Sequence, residues 1–381
     1  MTVISQGRTA PFDLENTEAW WLVPRQLFDG ETLRAGLALR IAAGRIDDIV
    51  PTGQAGMDGL PIWKTASLAS PGFFDVQVNG GGGVMFNSDP SPAGLKAIAA
   101  AHRASGTTAV LPTLITDTPD IMERAVTAAL AVAGSDGIVG VHLEGPHISV
   151  ERKGAHNPLF IRPMDEHTLS AVRRLRAGGV PVLVTLAPEC VPPGTIVTFS
   201  AMGAVVSLGH TAADAATTRA AIAEGARSVT HLYNGMTPIT SREPGVVGAA
   251  LDSDVYCGFI ADGHHVDDTV LRLSIRARPV RDRMVLVSDA MSTWNGPDHF
   301  TLYDETIHLV GGRLVNRLGS LAGVHIDMAT SLRRLVENVG ISLEDALKMA
   351  TANPSCLMRL EDSVGFLRPG MPADIVLLDW A

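Results

Sequence analysis

Between residues 73 and 287, short apolar runs alternate with alanine-rich amphipathic runs. The apolar runs Phe73–Val78, Thr107–Leu114, Ile138–Leu143, Val180–Leu186, Ala204–Leu208, Ser228–Leu232, Val255–Ile260 and Met284–Val287 predict eight strands. Helices are predicted between them near Ala93–Ala104, Asp120–Ala133, Glu166–Arg176, Ala212–Glu224 and Asp267–Arg276. Strands that are apolar almost throughout, rather than at every second position, belong to a parallel sheet buried on both faces. Eight such βα units in roughly 220 residues predict an α/β fold with a closed (β/α)8 TIM barrel.

The flanks read differently. Ala19–Val23, Leu37–Ile41 and Ile46–Val50, with a turn at Ala43-Gly44-Arg45, predict a small antiparallel sheet. Near the other end a turn-rich stretch, Gly365–Asp374, leads into the apolar run Ile375–Leu378. Residues 1–70 and 356–381 are therefore expected to build one small β-sandwich from both termini, beside a barrel spanning 71–355. Phe300–Asn316 breaks the rhythm and is read as a β-hairpin insertion, near 300–316, with Gly311-Gly312 as its turn. Helices are predicted near Met328–Asn338 and Leu343–Thr351, the latter capped by Ser342 and stopped by Pro354.

Composition narrows the functional classes. With 381 residues, 46% of them hydrophobic, the chain can bury one large core and a smaller one. Lys+Arg 30 against Asp+Glu 40 gives a net charge of -10, a field that repels nucleic acid and obliges any anionic small substrate to find locally placed cations. Cys190, Cys257 and Cys356 lie far apart with no C-x-x-C spacing and read as thiols of a reducing compartment. Residues 1–18 carry no basic-then-apolar leader pattern, and no apolar run approaches the ~20 residues that span a bilayer. A cytoplasmic protein with no membrane partner is expected.

Four polar groups stand at the carboxyl ends of different predicted strands, where TIM barrels assemble their sites. Glu144 ends the third, in His142-Leu143-Glu144-Gly145-Pro146; His210 and His231 end the fifth and sixth; Asp289 follows the eighth. One carboxylate and two neutral imidazoles suit Zn²⁺ and leave a position for water. Taken singly, each of the three is more often a hydrogen-bonded structural residue, and Asp289 reads equally as a turn or helix cap. Beside a metal, Asp289 reads as the general base for the attacking water.

The motifs at 142–146, Lys153-Gly154-Ala155-His156, Ser207 to Thr211, Thr230 to Met236, Asp262-Gly263-His264-His265 and Val287 to Ala290 occur in the order and near the spacings of one family. From Pro71 to Asp374 the chain resembles the N-acetylglucosamine-6-phosphate deacetylases of the amidohydrolase superfamily. The resemblance implies hydrolysis of the 2-acetamido group of N-acetylglucosamine 6-phosphate, with one divalent metal per subunit, Zn²⁺ or alternatively Fe²⁺, on Glu144, His210 and His231. It implies Asp289 as proton acceptor and then donor, with His156 beside it in catalysis, and Ala155, His156, Asn234 and Gly235 against the sugar. Arg242 and His265 would meet the phosphate, Leu321, Ala322 and Gly323 the acetyl side, and the enzyme would be a homodimer.

The phosphate assignment also has support in the residues. Arg242 follows the sixth strand and His265 the seventh, so both loops lie at the site face; the plain alternative for Arg242 is a surface ion pair with Glu243. Adjacent His264 and His265 point opposite ways if extended, so one is expected in the pocket. Strand 1 departs from the wider superfamily: Gln77-Val78-Asn79 replaces a His-x-His pair, and Val182 to Leu186 has no bridging lysine. A single metal is therefore expected, with Gln77 and Asn79 contacting its water or a weak second ion. Gly235 and Ser288 stand where Ala and Thr are usual, and His142 is expected in the core or behind the ligands. Two other readings stay open: the galacto epimer of the same substrate, and a barrel that has lost catalysis and serves as a scaffold.

Overall fold

The computed structural model describes residues 2–4 and 19–379, so most of the stretch read as lacking a leader lies outside the described residues. Eight parallel strands follow one another around a sheet: β1 (Phe73–Val78), β2 (Thr107–Ile115), β3 (Val141–Glu144), β4 (Val182–Leu186), β5 (Val205–Leu208), β6 (Ser228–Val229), β7 (Tyr256–Phe259) and β8 (Met284–Leu286). Two apolar faces account for the near-continuous apolar pattern. Phe74 and Val76 of β1 and Leu183 of β4 pack in one buried cluster inside the barrel, while Phe73, Val78, Val182 and Val184 pack against the helices outside.

The barrel closes through a seam just beyond β1 and β8. Val78 bridges Ala290 in parallel register, the Asp289 N–H donates to Gln77 O at 3.0 Å, and the Asn79 N–H donates to Ala290 O at 2.9 Å. Fully buried Asp75 joins the two sides, its carboxylate accepting the Ser288 N–H at 3.2 and 3.3 Å and the Gln77 N–H at 3.1 Å. Burial pushes this carboxyl up to about 7.

The connecting helices begin where polar caps allow. Ser91, Thr118, Asp165, Asp214 and Asp267 accept N–H groups of the first turns of α1 (Pro92–Arg103), α2 (Pro119–Val132), α3 (Glu166–Ala177), a helix over Ala215–Ala223 and one over Asp268–Ala277. The Asp214 cap explains why the helix expected from Ala212 starts three residues later. Thr195–Ala201 and Gly245–Leu251 form helices that the pattern does not predict; at 7 residues each they are too short to show a period. Pro354 does not end a helix as expected. The chain stops at Ala350 and re-enters a helix over Ala352–Met358, whose first turn holds Pro354 where its missing N–H costs nothing.

The insertion after β8 has three antiparallel strands, His299–Leu302, Glu305–Val310 and Arg313–Val315, one more than the hairpin expected. Gly311 and Gly312 (φ 57° and 79°) make the foreseen turn, but the extra turn passes through Tyr303 at φ 55°, where no glycine marks it. Both chain ends feed two small sheets. Strands 2–4, 375–378, 68–71, 26–28 and 33–34 form one, and 45–51, 37–42, 19–23 and 62–64 the other. They share a core that includes Trp20, Leu39, Ile41, Ala69, Ile375 and Leu377. The second sheet is mixed rather than antiparallel, because Ile62–Lys64 pairs parallel to Ala19–Val23. Among the described residues no helix is long and apolar enough to cross a membrane.

Replacing Asp75 by Ala strands buried N–H donors on both sides of the seam. We expect a loss of about 3 kcal/mol, read as a lower urea midpoint with an unchanged m value.

Candidate active site

Three side chains meet above the carboxyl ends of β3, β5 and β6. Glu144 Oε1 lies 3.1 Å from His210 Nε2 and 3.0 Å from His231 Nε2, and the two Nε2 atoms are 3.0 Å apart. All three residues are buried. Donor atoms 2.0–2.2 Å from one tetrahedral Zn²⁺ would stand about 3.3 Å from each other, so the trio fits such an ion with little adjustment. The proton inventory agrees. His210 Nδ1 sits 2.8 Å from the Arg152 carbonyl, an acceptor only, so that nitrogen carries the proton and Nε2 keeps its lone pair toward Glu144. The two imidazoles hold the Glu144 carboxyl well below its usual range, although burial opposes this.

The backbone at these positions explains where the strands stop, and why β6 ends earlier than its apolar run suggests. His210, His231 and Asp289 take φ of 48°, 30° and 51°, the left-handed region that non-glycine residues avoid. The chain leaves extended geometry there, which ends β5 at Leu208 and β6 at Val229. After Glu144 the chain turns at Gly145, where an added Cβ would sit 2.2 Å from Thr116 Oγ1, so only glycine fits.

Asp289 is held by strand 1. Asn79 Nδ2–H donates to its Oδ1 at 2.6 Å, and burial, followed by the charge of Glu144, pushes the Asp289 carboxyl up to about 6. Gln77 Nε2 lies 3.2 Å from both oxygens of Glu144. The two amide nitrogens expected at a water or a weak second ion are thus engaged by the carboxylates. Asn79 Oδ1, buried without a partner, remains available to a water.

His156 packs 4.3 Å, centroid to centroid, from the His210 ring. Its Nδ1 is held by Thr116, 2.7 Å from Oγ1 and 3.3 Å from the backbone nitrogen, which leaves Nε2 as the ring nitrogen that Thr116 does not engage. Burial, with His210 nearby, keeps this imidazole well below the usual histidine range. Of the histidine pair, His265 lines the cavity and His264 is exposed. His265 Nδ1 contacts Asp262 Oδ2 at 2.6 Å; against the effect of burial, this contact draws Asp262 down to about 2.

The cavity, about 240 Å³, is lined by these groups together with Asn79, Ala155, Asn234, Gly235, Leu321 and Gly323. Two expected residues lie elsewhere. Ala322 packs into the core of the insertion with Met291, Phe300 and Leu314. Arg242 is exposed, and it does not pair with Glu243, which instead accepts the N–H groups of Ala215 and Gly245. His142 is no part of the trio. It lies fully buried below Glu144, its Nε2 2.7 Å from Thr185 Oγ1, on a hydroxyl ladder that continues to Thr230 and Ser207. Thr116 and the Arg152 carbonyl were not foreseen. Thr116 follows β2 and was open to the same strand-end rule; a main-chain carbonyl leaves no mark in a sequence.

The amidohydrolase family pattern matches residues 68–380. An N-acetylgalactosamine-6-phosphate deacetylase of Shewanella sp. (strain ANA-3) is 41% identical over 319 residues, covering 83% of this chain and 80% of its own. The N-acetylglucosamine-6-phosphate deacetylase of Haemophilus influenzae is 34% identical over 338 residues, covering 87% and 88%. The chain belongs to the N-acetylglucosamine-6-phosphate deacetylase family of amidohydrolases. A crystal structure of the Pasteurella multocida N-acetylglucosamine-6-phosphate deacetylase superposes with a TM-score of 0.88 at 33% identity, over 94% of this chain and 95% of that one.

Substituting Glu144 by Ala should abolish tight divalent-cation binding in equilibrium dialysis while leaving the circular dichroism unchanged. Gln77→Leu removes only the support behind that carboxylate, and the cation affinity should fall about tenfold.

Proposed function

We propose that the protein hydrolyses the acetamide of N-acetylglucosamine 6-phosphate to glucosamine 6-phosphate and acetate. The observation that carries this reading is the convergence of Glu144, His210 and His231 beside a buried carboxyl, Asp289, whose affinity for protons is raised. The trio would hold one divalent cation, Zn²⁺ by its donor chemistry with Fe²⁺ as the alternative; when bound, the cation supplies Lewis acidity to water and to the acetyl carbonyl.

The chain's own groups divide the remaining work. Asn79 fixes Oδ1 of Asp289, leaving the carboxyl to take a proton from water as the water oxygen bonds to the acetyl carbon. The His156 Nε2–H donates to the carbonyl oxygen as negative charge develops on it. Asp289 then delivers its proton to the sugar nitrogen, the C–N bond breaks, and acetate and the free amine leave. Ala155, Asn234 and Gly235 line the sugar side, Leu321 and Gly323 the acetyl side, and His265 stands ready for the phosphate. Arg242 lies outside its own chain's cavity, which fits a phosphate contact made across a homodimer better than one made within the subunit. Three free cysteines, with burial pushing Cys190 and Cys257 up to about 11, fit a reducing cytoplasm.

The identity to the Shewanella enzyme favours a second substrate, the 4-epimer N-acetylgalactosamine 6-phosphate, cleaved by the same groups. Acetate release from the two sugar phosphates, measured side by side as kcat/KM, ranks them; no release from either rejects the enzyme reading. Asp289→Asn should keep the cation content and lower kcat by about a thousandfold. A near-normal kcat in that variant would remove Asp289 from the proton transfers.

A further inference from the structure

At the opposite end of the barrel a second polar cavity, about 250 Å³, is lined by Arg227, Arg283, Arg359, Tyr256 and Asp254 among others. Its position follows from the strand order. Arg227 immediately precedes β6, Tyr256 opens β7 and Arg283 immediately precedes β8, so the cavity lies under the strands whose far ends lead to His231, His265 and Asp289. Tyr256 is 4% exposed, with the Arg227 and Arg283 Cζ atoms 5.3 and 4.7 Å from its ring centroid.

What holds these guanidinium groups leaves their charge intact. Arg227 donates from Nε to Leu357 O at 3.1 Å and from Nη2 to Cys356 O at 2.9 Å. Arg283 donates from Nε to Asp254 O at 3.1 Å and from Nη1 to Asp282 O at 3.3 Å. Every partner is a main-chain carbonyl, and among the described residues Nη1 of Arg227 and Nη2 of Arg283 make no hydrogen bond. Arg359, exposed and in left-handed backbone at φ 59°, adds a third cation.

The neighbouring cavity, which shares Arg283, extends the pattern. Arg278 lines it, only 8% exposed; both of its Nη atoms donate to the carbonyls of Ala250 and Val255, and its Nε has no partner. None of Arg227, Arg278, Arg283 or Arg359 forms an ion pair among the described residues. In a chain of net charge -10, four arginines without an ion-pair partner gather at one end of the barrel, outnumbering Asp254 in the same cavity and Glu361 near Tyr256. Buried or braced cations without counter-charges are unfavourable alone and become favourable when an anion completes them.

We propose that this cavity binds the phosphate group of a small phosphorylated molecule, at a site separate from the acetamide pocket. The guanidinium forks match phosphate oxygens in pairs, and the enclosed volume suits a phosphate with at most a sugar-sized substituent. The overall acidity disfavours a nucleic acid there.

Isothermal titration of the full-length protein with inorganic phosphate, at fixed ionic strength, tests this. Wild type should show a binding event that survives His265→Asn and that Arg227→Gln/Arg283→Gln weakens by about tenfold. Those two arginines also brace main-chain carbonyls, so Arg359→Gln serves as the mild variant: its side chain makes no hydrogen bond among the described residues, and its loss should weaken the same event by about threefold with no change in thermal midpoint. Titration with glucosamine 6-phosphate separates the sources, since tighter binding than phosphate at this event marks a sugar ester as occupant and equal binding marks the free anion. Phosphate binding unaltered in both arginine variants, or wholly removed by His265→Asn, would overturn the proposal. Neither result bears on acetate release, so the site and the deacetylase reading stand or fall separately.

Discussion

Everything at the mouth of the barrel depends on closing the sheet between its first and last strands. The amide exchanges that link Gln77 and Asn79 to Asp289 and Ala290 are backbone contacts, yet they decide side-chain chemistry. Once Asp289 is locked to Gln77 through its N–H, its carboxylate lies within reach of the Asn79 amide, and Gln77 itself lies within reach of Glu144 on the third strand. One seam therefore aligns both carboxylates. Asp75 reinforces it from below, and its complete burial makes that reinforcement strong and intolerant of substitution.

Below the trio, the barrel interior is less oily than its strands suggest. His142, Thr185, Thr230 and Ser207 form a connected polar ladder, each link at 2.6 or 2.7 Å. Burial draws the His142 ring down to about 4, so it is neutral at ordinary pH and acts as a hydrogen-bonding spacer. The ladder lies between the apolar floor, represented by Val285 and Leu183, and the charged rim. Charge, dipole and hydrocarbon thus succeed one another along the barrel axis.

Most of the architecture was legible because parallel strands buried on both faces leave a mark that few other elements leave. The eight apolar runs, the Ser342 cap and the Gly-Gly turn of the insertion each have a local physical cause, and each recurs in the structure. What escaped was set by tertiary context. Nothing local announces that Tyr303 adopts a left-handed turn, that two 7-residue helices cover their strands, or that Pro354 opens a helix rather than closing one. The same division holds at the site. Glu144, His210, His231 and Asp289 were readable as polar residues ending apolar runs, whereas the support from the Arg152 carbonyl and Thr116 comes from loops whose approach only the fold determines. Ala322 shows the limit of reading by motif, since one residue of a three-residue stretch faces inward to packing while its neighbours face the cavity.

The left-handed backbone at His210, His231 and Asp289 has a consequence for how this protein trades robustness against activity. Each such residue costs about 1 kcal/mol or more relative to glycine at the same angles, a burden the rest of the barrel must carry. Selection for heat tolerance alone would drift toward glycine at these positions and arrive at a sturdier barrel without these side chains. The packing of the barrel beneath the rim offsets that cost, so three polar side chains persist where glycine would suit the main chain better.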